Sequence, residues 1–259
     1  MPTIKENIIF NYDNQWSDSF GLISVNLDNG MFEDVLVASR DFIETEIYGS
    51  DEPLLQGVQN SPLEFEMTIA FTEKYTDKNI RDIVEWLFQD IYKPLYFYGK
   101  EERVFYCMPI GDSSIVHNGL REGYFNITMR CNSPFVYSPV AISEEYDLSD
   151  GYNETIQLFN DGFDNLYPEI SISKIGNGSV SITNMSDGGK VWEIRNLLDG
   201  ENVYIDCKKE IIKSDKEDIG VYHYGDTSGS LPKLLKGNNT MIISGRCKIQ
   251  FRYQYKYRF

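Results

Sequence analysis

The sequence predicts a mainly β protein of two domains, an N-terminal β-domain carrying one helix and a C-terminal β-sandwich. Three observations predict it. Aromatic residues make up 14% of the chain, with 18 Tyr and 15 Phe, and such side chains favour pleated, half-buried surfaces. Alternation of apolar and polar residues with period two recurs along the chain and is broken by one stretch of helical spacing. The 259 residues exceed a typical domain of about 100–150 residues, and an acidic, turn-rich junction divides them into domains 1–145 and 146–259.

The elements follow in order. Residues 20–27 alternate as a strand, Asn29-Gly30 supplies the positive φ pair of a type I′ turn, and 31–37 return through Val35, Leu36 and Val37 as a hairpin. Residues 40–48 are extended, and 49–57 (GSDEPLLQG) have loop composition. In 63–71, Leu63, Phe65, Met67, Ile69 and Phe71 alternate with Glu64, Glu66 and Thr68, as in a half-buried antiparallel strand. Thr76 or Asp77 can cap a helix whose face carries Ile80, Ile83, Val84, Leu87 and Ile91, and Pro94 ends it by about Tyr92. Strands follow at 95–98, 104–110 and 123–130. The junction spans about 143–163. Beyond Pro168, short strands at 169–174, 178–184, 191–196, 202–206, 210–213, 239–244 and 247–255 are separated by Gly/Asn/Asp turns every 8–12 residues or so, the spacing of a sandwich.

Composition excludes several classes of function. The net charge of -16 lies entirely before residue 151, where 26 acids face 10 bases, whereas 151–259 balance 14 against 14. Such acidity argues against gripping a phosphate backbone. Basic residues do alternate with aromatics over 246–259, but Ile249, Phe251, Tyr253, Tyr255 and Tyr257 fall on one face at period two, which describes a terminal strand more simply than a nucleic-acid patch. No segment reaches the roughly 18–20 apolar residues of a membrane span, and the N-terminus has no secretion signal. Cys107, Cys131, Cys207 and Cys247 lack the close spacing of metal or redox motifs, so buried free thiols are expected.

The chemistry of catalysis is equally sparse. The two histidines, His117 and His223, have no His or Cys at ligand spacing, so neither a zinc site nor a Ser-His-Asp triad is expected. Asp226-Thr227-Ser228-Gly229 has an extra residue relative to an aspartic protease turn and no second copy, and is read as an exposed loop. Neither a phosphate loop nor a G-x-G-x-x-G turn is present. The acid pairs Glu101-Glu102 and Glu144-Glu145 would point to opposite sides of a strand. No catalytic residue, cofactor or metal is assigned, and the chain is expected not to be an enzyme.

The chain resembles the distal tail protein (Dit) family of long, non-contractile tailed phages and prophages over essentially its full length. In the first domain the resemblance rests on Phe20-Gly21-Leu22, the helix with Trp86-Leu87, Leu95-Tyr96-Phe97, and Cys131-Asn132-Ser133-Pro134-Phe135-Val136-Tyr137. In the second it rests on Tyr167-Pro168-Glu169-Ile170, Ile182-Thr183-Asn184, Leu231-Pro232-Lys233-Leu234, Gly237-Asn238-Asn239 and the final strand. The resemblance implies an N-terminal domain with a projecting hairpin, packed as a homo-hexameric ring, and a galectin-like C-terminal sandwich outside it. It further implies a ring that joins the major tail tube protein to the tail-associated hub protein, carries receptor-binding proteins, and passes DNA without binding it. Location at the tail tip of the virion, after assembly in the bacterial host cytoplasm and without a membrane, follows.

Within that frame, residues 31–48 are the candidate ring-closing arm, with Val35, Val37, Phe42 and Ile47 as its interface contacts. Glu44, Glu46, Glu64 and Glu66 are candidates for an acidic lumen that repels DNA. An alternative function is carbohydrate binding at the host cell wall through Trp192, Tyr204, Tyr222 and Tyr224, whose rings can stack on sugars.

Overall fold

The computed structural model describes residues 9–25 and 37–258, which fall into two compact units divided after Tyr137. The Asn29-Gly30 turn, and Val35 with it, lie outside the described residues. The first unit is built on an antiparallel sheet of eight strands. Its strands are β1 (Phe10–Tyr12), β2 (Gln15–Trp16), β3 (Leu22–Val25), β6 (Glu64–Phe71), β7 (Lys93–Phe97), β8 (Phe105–Ile110), β9 (Ile115–His117) and β10 (Gly123–Cys131). A separate two-stranded ribbon pairs β4 (Arg40–Thr45) with β5 (Leu54–Asn60). Phe65, Met67 and Ile69 of β6 are buried while Glu64 and Glu66 are exposed, as the alternation predicts.

One helix, α1 (Asp77–Leu87), covers this sheet. Its first turn is closed by a capping box: the Thr76 hydroxyl accepts the Asn79 N–H, and the Asn79 side chain accepts the Thr76 N–H. The buried face is Ile83, Trp86 and Leu87, whereas Val84 is exposed and the helix ends before Ile91. The face is thus rotated from the predicted one, because the largest side chain available, Trp86, goes inward. Its indole stacks on Phe20 at 4.2 Å and Phe10 at 5.9 Å, meets Tyr12 edge-on at 6.0 Å, and donates Nε1–H to the Tyr12 carbonyl at 2.8 Å.

Three stretches given to loop are strands. Residues 54–57 belong to β5, where pairing with β4 and a bulge between Ile43 and Glu44 override the turn-rich composition. In the second unit, β12 (Ala141–Ile142) precedes the junction, which contains β13 (Tyr146–Asp147) and β14 (Glu154–Asn160). Ile156, Leu158 and Asn160 of β14 are buried alternately against an acidic surround.

The second unit has two sheets. One orders β14, β21 (Gly237–Ser244), β16 (Gly178–Asn184), β17 (Lys190–Leu197) and β20 (Thr227–Gly229). The other orders β12, β22 (Cys247–Tyr253), β15 (Glu169–Lys174), β18 (Asn202–Asp206) and β19 (Ile211–Ser214), with β13 also on β22. Ile182, Trp192, Ile194, Met241 and Ile243 of the first sheet share one core with Ile170, Ile172, Ile205, Ile249 and Phe251 of the second, which makes this unit a sandwich. The chain re-enters the first unit at Tyr257, where β23 (Lys256–Arg258) pairs with β11 (Phe135–Tyr137).

The 227–229 segment, read as loop, is the short edge strand β20 on β17. Gly229 has φ +82°, and a Cβ there would sit 2.0 Å from the Val191 carbonyl oxygen, so only glycine permits the pairing. All four cysteines are free and buried. Burial pushes the Cys207 thiol up to about 12 and the Cys247 thiol to about 11. Trp86→Ala should destabilise the first unit by about 3–5 kcal/mol, read as an earlier urea midpoint for that unit's transition. An unchanged midpoint would contradict the central role given to the indole.

Candidate functional site

The outstanding surface of the first unit is the β4–β5 ribbon. Its base is tied by a hydrogen bond from Ser61 N–H to the Ser39 carbonyl at 2.8 Å. Beyond that point, among the described residues, it shares no ladder with the eight-stranded sheet. Phe42 is 64% exposed, and Ile43, Leu54, Leu55, Val37 and Ile47 are about half exposed. A short ribbon showing this much apolar surface has not buried it within the chain, the mark of an interaction site.

The structure therefore places Val37, Phe42 and Ile47 together on or beside one exposed element and adds Leu54 and Leu55, which the loop-like composition of 49–57 concealed. The four acidic candidates divide between two elements. Glu44 and Glu46 belong to the ribbon, whereas Glu64 and Glu66 share the solvent face of β6. There Arg130 pairs with Glu64 at 3.2 Å and donates to the Tyr92 hydroxyl at 2.7 Å.

The second unit holds a polar cluster that sequence spacing concealed. His223, only 2% exposed, puts Nε2 at 2.6 Å from a Glu201 carboxylate oxygen and Nδ1 at 3.1 Å from Asp226. The Ser214 hydroxyl donates to the same Glu201 oxygen, and the Leu198 N–H donates to the other at 2.8 Å. The set contains Ser, His and acid, yet the hydroxyl bonds the carboxylate and not the imidazole. The serine's partner is the Glu201 carboxylate, which His223 and the Leu198 N–H also occupy, and both ring nitrogens face acids. The arrangement is a clamp holding the 214–226 segment to β17 and β18, not a nucleophile.

Burial pushes the Glu201 carboxyl up, but hydrogen bonds from Leu198, Ser214 and His223 outweigh it and hold the group below the usual carboxylate range. Asp226 is likewise lowered, first by the Asn196 amide and then by His223. Among the described residues, no group of three or more metal-ligating side chains is gathered.

Of the four aromatic candidates, Trp192 and Tyr224 line one cleft of about 590 Å³ in the second unit. Tyr204 and Tyr222 lie outside its lining, and the Tyr204 phenol is pushed up to about 12 by burial and then by Glu169. The basic residues of β22 are matched by acids. Arg252 contacts Glu169 at 2.6 Å, and Lys248 lies 3.5 Å from Glu145 and 3.4 Å from Asp147.

An antiparallel β-domain carrying one helix and an apolar ribbon, followed by a sandwich, defines a mainly β protein of two units. The chain belongs to a family of phage tail proteins: the model of a phage tail protein N-terminal domain matches residues 5–133, and that of a phage tail C-terminal domain matches 135–253. It is 28% identical over 254 residues to the SPbeta prophage-derived uncharacterized protein YomH of Bacillus subtilis (strain 168), covering 98% of this chain and 99% of that protein. Its fold matches the crystal structure of the Dit protein of phage SPP1, described as a paradigm of hub adsorption apparatus in phages infecting Gram-positive hosts. That match has a TM-score of 0.67 at 14% identity, over 96% of this chain and 99% of the other. Chains of the phage P2 baseplate in its activated conformation match too, with TM-scores of 0.57 with Ca and 0.58 with Sr. They are 8% and 9% identical, and each match covers 97% of this chain and 99% of the other.

The lowered carboxyls of Glu201 and Asp226 set the sign of a pH effect. Their contribution to stability is complete above the unfolded carboxylate pKa of about 4 and is lost as pH falls through the lower folded values. Acid titration followed by circular dichroism should show the second unit weakening below about pH 4. His223→Ala, which removes one of the three donors to the buried Glu201 carboxylate, should cost about 1–3 kcal/mol at neutral pH. A variant as stable as the parent in urea would show that the clamp holds nothing.

Proposed function

We propose that this phage tail protein is the distal tail component that closes the end of the tail tube as a homo-hexameric ring. In this reading the first unit forms the ring, the major tail tube protein lies on one side and the tail-associated hub protein on the other, and receptor-binding proteins dock on its periphery. Location at the virion's tail tip, after assembly in the host cytoplasm, follows from that role, and the protein acts as a scaffold without catalysis. The observation that carries the reading is the β4–β5 ribbon, with its exposed Phe42, Ile43, Leu54 and Leu55. A closed ring needs two different patches on each subunit, and a ribbon reaching to its neighbour supplies one.

The 39–61 hydrogen bond makes the test clean, because the chain ends remain adjacent when the ribbon is removed. Replacing residues 40–60 by Gly-Gly should leave a folded monomer in mass photometry, while the parent forms hexamers. Hexamers persisting in the deletion would refute the ribbon as the closing element. Glu44, Glu46, Glu64 and Glu66 are assigned to the ring's channel, where fixed negative charge keeps DNA from adhering.

A further inference from the structure

The cleft in the second unit is independent of ring closure, and we infer that it binds a short neutral oligosaccharide. Its volume of about 590 Å³ falls within the roughly 300–1,000 Å³ of ligand sites. It opens where the edge strands of the two sheets, β19 and β20, approach one another. Three aromatic rings contribute to it: Trp192, whose side chain is buried, and Tyr167 and Tyr224, which are 47% and 58% exposed. The exposed faces of Tyr167 and Tyr224 suit the C–H face of a pyranose ring.

The charged lining decides the class of ligand. Lys190 and Lys233 approach Asp187 at 3.1 and 3.6 Å, and Glu210 stands as the second acid. Two acids and two bases leave no net charge to draw in an anion or a cation. They do leave both donors and acceptors at the wall, together with the Thr227 and Ser230 hydroxyls. A sugar hydroxyl both donates and accepts, so a polyol uses such a wall fully, whereas a phosphate would find only half of it useful.

Two features hold the walls in place before any ligand arrives. Glu210 has φ +57°, a left-handed conformation reached through a turn in which Asp206 accepts the N–H groups of Lys208 and Lys209 at 3.1 and 3.0 Å. Backbone held in that region gathers at binding positions, where the surroundings fix it. On the opposite wall, the Tyr224 hydroxyl accepts the Ile212 N–H at 3.4 Å, and its neighbour His223 is clamped between Glu201 and Asp226. A pre-set site loses less freedom on binding.

Isothermal titration of the full chain with chitotriose, cellotriose, maltotriose and mannotriose tests this. At least one should bind, and Tyr167→Ala and Tyr224→Ala should each weaken it by about tenfold or more. Tyr224→Phe, which keeps the ring, should retain most of the affinity. Tyr204→Ala, an aromatic outside the cleft, should leave affinity unchanged. No binding by any of the four at millimolar concentration, or binding indifferent to Tyr167 and Tyr224, would overturn the proposal. So would tighter binding of poly(glycerol phosphate), which would make the ligand an anion. Because the variants lie in the second unit, their oligomeric state by mass photometry separates this outcome from a failure of the ring.

Discussion

The first unit depends on one indole. Trp86 is the point where α1, the β1 strand and the Ser17–Phe20 turn meet, since its ring lies against Phe10 and Phe20 while its N–H is taken by the Tyr12 carbonyl. A buried Trp is tolerated only where its N–H finds a partner, so the indole specifies an orientation as well as a volume. The rotated helix face follows from it. Turning Trp86 inward leaves Val84 in solvent and places Ile83 and Leu87 on the sheet. The Thr76 capping box and the Arg121–Asp77 pair at 3.0 Å then locate the first turn, leaving the helix little freedom to slide.

The second unit is held differently. Its core draws on both sheets, with Trp192 and Phe251 set among Ile, Val, Leu and Met side chains. What is specific there is polar. The Glu201–His223–Asp226 clamp ties a turn-rich excursion of the chain, which has little apolar surface of its own, to the strands beside it. Buried charge is a costly way to hold a loop. It is effective here because each carboxylate also receives a neutral donor, the Leu198 N–H for Glu201 and the Asn196 amide for Asp226.

Much of the fold was legible wherever one face of a strand is buried. β6, β15, β16 and β18 emerge from alternation alone because water on one side and core on the other impose period two. β5 and β14 were hidden for complementary reasons. β5 is exposed on both faces, so nothing enforces a pattern, and β14 opens from an acidic surround that reads as linker. Of the exposed apolar residues on or beside the ribbon, Phe42 and Ile47 were visible as apolar residues in an extended stretch, but Leu54 and Leu55 were not, since a ribbon's second strand is defined only by pairing with its first. The clamp could not be foreseen either. Glu201, Ser214, His223 and Asp226 carry no local motif, and the turns between β18 and β20 bring them together.

The separation of the ribbon from the sheet has a consequence for how such a protein can change. Side chains on β4 and β5 contribute almost nothing to burying the core around Trp86, so altering them should leave the folding of the subunit intact while changing the surface that the ribbon presents. The residues that set fold stability and those that show apolar surface to solvent are thereby placed in different parts of the sequence, and a backbone hydrogen bond from Ser61 to Ser39 holds the two ends of the ribbon together. A lineage built on this plan can exchange its contacts one residue at a time, without each trial passing through a subunit that no longer folds.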